Sequence, residues 1–329
     1  MTSDDEPHVP PPPSRPGASI FTIEGRAAPG LFVVGWLASL LGLGIVLVGA
    51  FAGSSLFLFF LGPTFLTVGL VAGAGNQSIE RRVRGEAYAG PSPFLVFAAM
   101  VAAVYAVGSV VGLGLHLLVG PNTMPDYVVR LIGVSLQAAV FIGIVRLTVV
   151  DSQALSWREM GWRRPDVGAI RDLAYGGLLA LPIIGLTSIV AAVLVQVFQA
   201  VPEAPLPPTG VAAGLVIQLL AGAIIAPVAE ETVFRGFAIT AWQRSVGTRG
   251  AIVRASLLFA LAHVLNVSAD NVGQAVGLIV VGFATRLPVA FALGWLFVAR
   301  RSIWAPLGLH IAFNAILLII GELAVTVAR

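Results

Sequence analysis

Long apolar runs, many of them about twenty residues or more, fill most of this chain and limit the solvent in which it can fold. A helix needs roughly 20 apolar residues to cross the hydrocarbon core of a bilayer. The run from Leu31 to Ala52 is of that length and contains no charged residue. Over the whole chain 57% of the residues are hydrophobic and 11% are charged. A soluble domain carries about a quarter charged residues, so the sequence predicts an integral membrane protein.

Turns and short polar segments divide the apolar sequence into about nine predicted spans. Their approximate residues are 31–52, 56–74, 94–119, 128–150, 173–200, 211–244, 252–267, 273–299 and 303–327. The eighth span contains Arg286 and Pro288, so we expect a helix break or a snorkelling arginine there. The pattern predicts an all-α, polytopic membrane helix bundle.

The distribution of arginines predicts how the spans are oriented. All basic residues are arginines, and the arginine-rich loops are those near Arg81, Arg163, Arg244 and Arg301. The turns near residues 121, 202 and 270 contain no arginine. Because cytoplasmic loops carry the excess of positive charge, we expect a plasma (inner) membrane protein with a cytoplasmic N-terminus and an external C-terminus. Because the arginines lie between the apolar runs and do not form one patch, we expect no nucleic-acid partner, despite a net charge of +3.

Ionisable residues inside the spans are costly, at least ~2.5–3.5 kcal/mol each on insertion scales, and by default they mark function. They concentrate in the last third of the chain, together with one asparagine. The residues concerned are Glu230, Glu231, Arg235, His263, His310 and Asn314. Glu231 and Arg235 lie four residues apart, so they share a helix face and can pair. Glu230 points about 100° away, so it can face a cavity while Glu231 is neutralised.

The depth of the two histidines can be estimated from the nearest arginines. His263 lies nine residues beyond Arg254, and His310 lies nine beyond Arg301. At about 1.5 Å per residue both lie some ~13 Å inside the cytoplasmic boundary. A continuous helix would bring Glu230 to a similar layer. We therefore expect the three side chains to converge on one cavity in the cytoplasmic half of the membrane.

A buried carboxylate, two histidines and an amide supply what hydrolysis by an activated water needs. The carboxylate can act as the base, histidine can share the proton or bind a metal, and the amide can donate to an oxyanion. No H-E-x-x-H pair, G-x-S-x-G sequence or cysteine provides another protease design. Two alternatives remain open: a proton-coupled transporter, since buried Glu and His also form proton relays, and a non-catalytic membrane immunity or scaffold protein.

Three short motifs resemble those of the CAAX-protease and bacteriocin-processing (CPBP) family, also called the Abi family or type II CAAX prenyl endopeptidases. They are EETVFR, FALAH and HIAFN, and they occur in the family's order, each on an apolar segment. The loop SWREMGWRRPD is similar to the family's lead-in. The resemblance covers roughly residues 157–314.

This resemblance implies an intramembrane endopeptidase with an eight-helix core, described as glutamate-type and formerly as a metalloprotease. It implies that Glu230 is the general base and that His263 helps to hold and activate the water. It also implies that His310 and Asn314 stabilise the oxyanion. The expected substrate is a membrane-associated protein or peptide, of CAAX type or with a leader peptide, bound within the lipid bilayer.

The remaining motif residues would act in support. Glu231 and Arg235 are expected to support the site or contact the substrate. Phe259 shares a helix face with His263 and is expected to pack rather than react. Zinc could in principle bind Glu230, His263 and His310 with water in a fourth position, but the resemblance favours a site without a cofactor.

Three regions follow from these patterns. Residues 1–28 have an acidic start and a run of prolines from Pro10 to Pro13, so we expect a disordered cytoplasmic tail without a signal peptide. Residues 29–150 are expected to form N-terminal transmembrane helices. Residues 151–329 are expected to form the catalytic membrane domain.

Overall fold

A computed structural model describes residues 22–53, 56–120, 123–204 and 206–327, and within these ranges the chain is helical and contains no strand. The α-helices are α1 Pro29–Ala52, α2 Leu56–Val83, α3 Pro93–Val119, α4 Asp126–Val145, α5 Val167–Leu178, α6 Ala180–Phe198, α7 Ala212–Gln218, α8 Ala226–Glu231, α9 Thr240–Ala262, α10 Val272–Arg300 and α11 Trp304–Val327. Three π-helical segments, Arg146–Val150, Leu219–Ile225 and Thr232–Ile239, continue α4, α7 and α8. The predicted all-α membrane bundle is confirmed.

Seven helical stretches of the described residues are long and apolar enough to cross a membrane. They are Pro29–Ala52, Pro93–Val119, Asp126–Val150, Val167–Phe198, Ala212–Ala262, Val272–Arg300 and Trp304–Val327. The count differs from the predicted nine for two reasons. First, α2 is not among the seven, and the predicted second span, residues 56–74, which lies in α2, stays a prediction. Second, Ala212–Ala262 is one stretch although the predicted sixth and seventh spans both lie in it.

Gly247 explains how one stretch can contain two spans. Its backbone has φ 73° and ψ 172°, so the helix axis changes direction there. A glycine adopts a positive φ without steric penalty, and the neighbouring sequence QRSVGTRG is polar. The turn that was predicted between the sixth and seventh spans is therefore present as a kink inside α9.

The expected break in the eighth span is wrong. The helix α10 continues through Pro288, which is compatible with a helix at the cost of one backbone hydrogen bond and a local bend. Of the predicted tail, residues 1–21 lie outside the described part of the chain. The division into a tail, N-terminal helices and a catalytic domain stays a prediction.

The main hydrophobic core lies where α3, α4 and α9 surround the stretch from α8 to the π-helix Thr232–Ile239. All eight residues of that π-helix are buried. The helices α10 and α11 pack against α6, and α5 packs against α11. In contrast, α1 and α2 pack mainly against each other at the edge of the bundle. The ionisable motif residues are thus held in the most enclosed part of the molecule.

Candidate active site

The helix that carries the two adjacent glutamates is irregular just before them. Residues Leu219–Ile225 form a π-helix, in which the N–H of Ala226 donates to the carbonyl of Ala221, five residues back. The next donor in this pattern would be Pro227, which has no N–H. The carbonyl of Gly222 is therefore left for another donor, and the side chain of Asn314 supplies it at 2.8 Å. Pro227 in one span therefore leaves a carbonyl unpaired, and that carbonyl orients the side-chain amide of Asn314 on another span.

Glu231 is completely buried and neutralised by two partners. Its Oε1 accepts from Arg235 Nη1 at 2.9 Å, and the predicted pair on one helix face is confirmed. The same oxygen lies 2.7 Å from His310 Nδ1. The side chains of Glu231 and Arg235 are 0% and 1% exposed. The contact with His310 was not predicted, because no local spacing relates residues on two different helices.

Glu230 points in another direction, as predicted from the 100° turn between adjacent helical residues. Its Oε2 lies 3.7 Å from His310 Nε2 and 3.9 Å from His263 Nε2. The predicted convergence of these three side chains is confirmed. Among the described residues Glu230 Oε2 has no hydrogen-bond partner. Polar atoms separated by more than about 3.5 Å are commonly bridged by a water, and Glu230 is one of the residues that line a cavity.

The hydrogen bond made by Nδ1 determines the tautomer of each histidine ring. His263 Nδ1 lies 2.7 Å from the carbonyl oxygen of Phe259, which can only accept, so Nδ1 carries the proton. His310 Nδ1 faces Glu231 Oε1, which already accepts from Arg235, so it also donates. Each ring therefore turns Nε2 towards Glu230. In a neutral ring that Nε2 accepts, and in a protonated ring it donates.

Phe259 packs against three members of the motif set, as expected. Its ring centroid lies 4.4 Å from that of His263 and 5.8 Å from that of His310. The guanidinium carbon of Arg235 lies 4.4 Å from the same ring centroid, within the range of a cation–π contact. Besides this packing, its carbonyl fixes the His263 ring. Phe259 is therefore a positioning residue.

A cavity of about 1180 Å³ contains the reactive groups. Its wall includes Glu230, His263, His310 and Asn314, and most of the remaining lining is apolar, from α3, α4, α6, α10 and α11. Arg286 also lies in the wall, where its Nη1 donates to the carbonyl of Gly282 at 2.7 Å. The arginine therefore does not snorkel to a membrane surface.

A zinc ion would require three well-placed protein ligands. Glu230 Oε2 and the two Nε2 atoms are donors of a suitable kind. However, within the described part of the chain no group of three or more His, Asp or Glu side chains is arranged to hold a metal ion. No step of the reaction proposed below is assigned to a metal ion.

Comparison with known proteins finds a match over the segment that carries Glu230, His263, His310 and Asn314. Residues 212–316 match the family model described as type II CAAX prenyl endopeptidase Rce1-like. No curated protein and no solved structure matches the chain significantly. The matched segment contains EETVFR, FALAH and HIAFN, so the predicted resemblance is confirmed there. The match implies a protease of the CAAX type in an integral membrane protein.

Proposed function

We propose that this chain, whose residues 212–316 match the Rce1-like type II CAAX prenyl endopeptidases, is a glutamate-type intramembrane endopeptidase that uses a water activated by Glu230. The observation that carries the proposal is the position of Glu230 Oε2. It lies within 4 Å of two histidine Nε2 atoms, without a hydrogen-bond partner among the described residues, on a side chain that belongs to the lining of the cavity. A general base must lie within reach of the proton that it takes, and this oxygen is free to do so.

The first chemical step is the addition of water to the scissile carbonyl. A water near Glu230 Oε2 gives one proton to that carboxylate, and its other hydrogen is accepted by the neutral Nε2 of His263. The water oxygen then forms a bond to the carbonyl carbon, and the π electrons of the C=O bond move to its oxygen. Glu230 is the base, and His263 orients the attacking lone pair.

Donors opposite the base stabilise the oxyanion. One N–H of the Asn314 amide is held by Gly222, so its second N–H is oriented and free to donate. His310 in its protonated form donates its Nδ1–H to Glu231 and presents Nε2–H to the cavity. Fixed donors that meet a developing negative charge are commonly the largest single contribution to catalysis.

Breakdown of the tetrahedral intermediate returns the proton. Glu230, now protonated, gives its proton to the leaving nitrogen as the C–N bond breaks, and the carbonyl is re-formed. Glu231 and Arg235 take no part in proton transfer. They hold His310 in place through a buried charge pair, which is why the two adjacent glutamates have different roles.

The lining of the cavity supports an apolar, membrane-associated substrate. Side chains such as Phe97, Val289 and Leu317 line it, and apolar walls with a few polar groups are typical of sites that enclose a ligand. A CAAX-type peptide with a lipid group and a hydrophobic leader peptide both meet this description. The substrate class is therefore an apolar polypeptide segment that reaches the site within the bilayer.

Cleavage by the purified full chain in detergent tests the function. A farnesylated CAAX-type peptide and a library of hydrophobic leader peptides are incubated with the wild type, Glu230→Gln and Asp270→Asn, and products are identified by mass spectrometry. Asp270 is an exposed acid outside the cavity. We expect Glu230→Gln to cleave about 10²–10⁴-fold more slowly than the wild type and to keep the wild-type melting temperature. We expect Asp270→Asn to cleave at the wild-type rate. Undiminished cleavage by Glu230→Gln would overturn the assignment of the base.

A further inference from the structure

Arg286 lies in the middle of α10, where a charged side chain is costly. The helix extends from Val272 to Arg300, so Arg286 is fourteen residues from either end, about 21 Å at 1.5 Å per residue. Its side chain is half-buried, and among the described residues that line the cavity it is the only arginine. Charged residues deep in a membrane span are rare, pair with another group and mark function. The proposed reaction steps do not use Arg286, so its place in the cavity wall needs another explanation.

One contact within α10 holds the guanidinium group of Arg286. Its Nη1 donates to the carbonyl of Gly282, one turn earlier, at 2.7 Å. A Cβ added to Gly282 would lie 3.6 Å from that nitrogen and 3.1 Å from Cγ1 of Val264, the residue that follows His263. The small residue at position 282 therefore leaves room for the guanidinium beside the segment that carries His263.

The guanidinium group has unused donors and no counter-ion in the described part of the chain. An arginine side chain has five N–H donors, and the bond to Gly282 is the hydrogen bond that its guanidinium forms with described residues. None of the ion pairs between described residues includes Arg286. The charge of Glu230 acts on Arg286 across the cavity, but the carboxylate itself lies beside two histidines.

The other arginine of the site shows which partner Arg286 lacks. Arg235 is 1% exposed, and the carboxylate of Glu231 accepts from its Nη1 at 2.9 Å. Arg286 has no such carboxylate on the protein, so a ligand in the cavity can supply one. The planar guanidinium group binds a carboxylate through two parallel hydrogen bonds. The partner that fits Arg286 is therefore a carboxylate of the substrate.

The chemistry of the substrate identifies that carboxylate. Acidic side chains are rare in an apolar polypeptide segment, because they are costly in lipid. Every polypeptide with an unmodified end, in contrast, carries one carboxylate at its C-terminus, whatever its sequence. A lipid headgroup is the other source of an anion within a bilayer, and the experiments below separate the two.

We propose that Arg286 binds the C-terminal carboxylate of the substrate. This inference rests on the proposed function and deepens it, because it selects between the two substrate classes named there. A cavity of about 1180 Å³ encloses only a short segment, and an extended chain spans about 3.3–3.6 Å per residue. The cleaved bond therefore lies a few residues from the end of the substrate. A CAAX-type peptide meets this condition, and a leader peptide at the front of a long protein does not.

Paired peptides test the assignment by cleavage in detergent. The same sequence is offered with a free and with an amidated C-terminus to the wild type, Arg286→Gln, Arg286→Lys and Arg249→Gln, whose arginine is exposed and outside the cavity. We expect the wild type and Arg249→Gln to prefer the free acid about ten- to a hundredfold in kcat/KM. We expect Arg286→Gln to lose this preference and Arg286→Lys to keep part of it.

A loss of rate in Arg286→Gln that is equal for both peptides would overturn the proposal. It would show that the charge of Arg286 acts on Glu230 and His263, since that effect does not depend on the end of the substrate. Melting temperatures in the same detergent exclude a folding defect. We expect Arg286→Gln to be as stable as the wild type, because no described carboxylate loses its partner in this variant. A large fall in its melting temperature would contradict the open guanidinium on which the proposal depends.

Peptides of increasing length provide a second measurement. The cleaved sequence is kept and residues are added after it one at a time, each peptide ending in a free carboxylate. We expect kcat/KM of the wild type to fall once the carboxylate can no longer reach Arg286, and Arg286→Gln to show no such dependence. A wild-type rate that is independent of this length would overturn the proposal.

Binding to an inactive variant separates this inference from the proposed function. The free acid and the amide are titrated into Glu230→Gln and into Glu230→Gln/Arg286→Gln, and Kd is measured by calorimetry. We expect the first variant to bind the free acid about ten- to a hundredfold more tightly than the amide, and the second to bind both alike. If the wild type cleaves no peptide but this difference in Kd is found, the proposed function fails and the role of Arg286 stands. Equal Kd values for both peptides in Glu230→Gln would overturn the role of Arg286.

Micelles that contain phosphatidylglycerol test the lipid headgroup as the source of the anion. We expect the preference of the wild type for the free acid to be the same in these micelles and in neutral detergent. Inhibition of the wild type by phosphatidylglycerol that is absent in Arg286→Gln would assign Arg286 to a lipid and overturn the proposal.

Discussion

The edge pair α1–α2 and the buried stretch from Glu230 to Ile239 fold by different means. In α1 only Gly35, Gly42 and Gly49 are buried, and side chains such as Leu37, 65% exposed, face outward. In the stretch, every residue of the π-helix Thr232–Ile239 is buried, including a charged arginine. Apolar helices in lipid need only small residues where they meet. The buried charge of Arg235 is paired with Glu231 inside the stretch itself, and His310 from α11 completes the contact.

The largest expected effect is on Glu231, because its negative charge serves two buried partners. Glu231→Gln removes the counter-ion of Arg235 and leaves only a neutral amide oxygen to accept from Arg235 and His310 Nδ1. An uncompensated buried charge costs about 3–5 kcal/mol, so both the melting temperature and cleavage should fall, unlike in Glu230→Gln. The double variant Glu231→Gln/Arg235→Gln should recover part of the stability without activity. A stable, inactive Glu231→Gln beside an active Glu230→Gln would show that the two roles are reversed.

Asn314 should affect the reaction more than the fold, although its loss also leaves the carbonyl of Gly222 without its donor. Asn314→Ala removes the proposed oxyanion donor, and loss of one such donor costs about 10²–10³ in kcat. We expect kcat to fall with KM little changed, measured by steady-state cleavage in detergent. A rise in KM alone would assign Asn314 to substrate binding.

A substitution in the edge pair α1–α2 should lower the stability of the protein without changing its rate of cleavage. A Cβ on Gly42 would lie 2.5 Å from Leu66 N, whereas one on Gly44 would meet nothing within 4 Å. We expect Gly42→Ala to destabilise by about 1–3 kcal/mol, with cleavage per folded molecule retained, and Gly44→Ala to change neither. Thermal unfolding and cleavage of both variants in one detergent measure this. Loss of activity in Gly42→Ala would show that the two regions are coupled.

The smallest expected effect is that of metal removal. The proposed base acts without a cation, so dialysis against a chelator should leave cleavage unchanged. Added zinc should not increase the rate, because no proposed step uses a metal ion. Atomic absorption of the purified protein and cleavage before and after dialysis measure both effects. Activity lost on dialysis and restored by zinc would establish a metal mechanism.

Helical spacing predicted only part of the site. Residues four apart share a face, so the pair of Glu231 with Arg235 and the separate direction of Glu230 followed from the sequence. The bond from His310 to Glu231 joins residues 79 positions apart, and the bond from Asn314 to Gly222 joins residues 92 apart. No local rule specifies such contacts. The position of Arg286 in the cavity wall was missed for the same reason.

Apolar length, arginine distribution and three short motifs in order determined that this is a helical membrane protein with a protease-like site, because each reflects local chemistry against lipid or water. The predicted orientation stays a prediction. Tertiary structure alone decided that α10 runs through Pro288 and that one oxygen of Glu231 serves two partners. Those features depend on how separate helices pack, and in a bilayer that packing is set by close side-chain fit and buried hydrogen bonds.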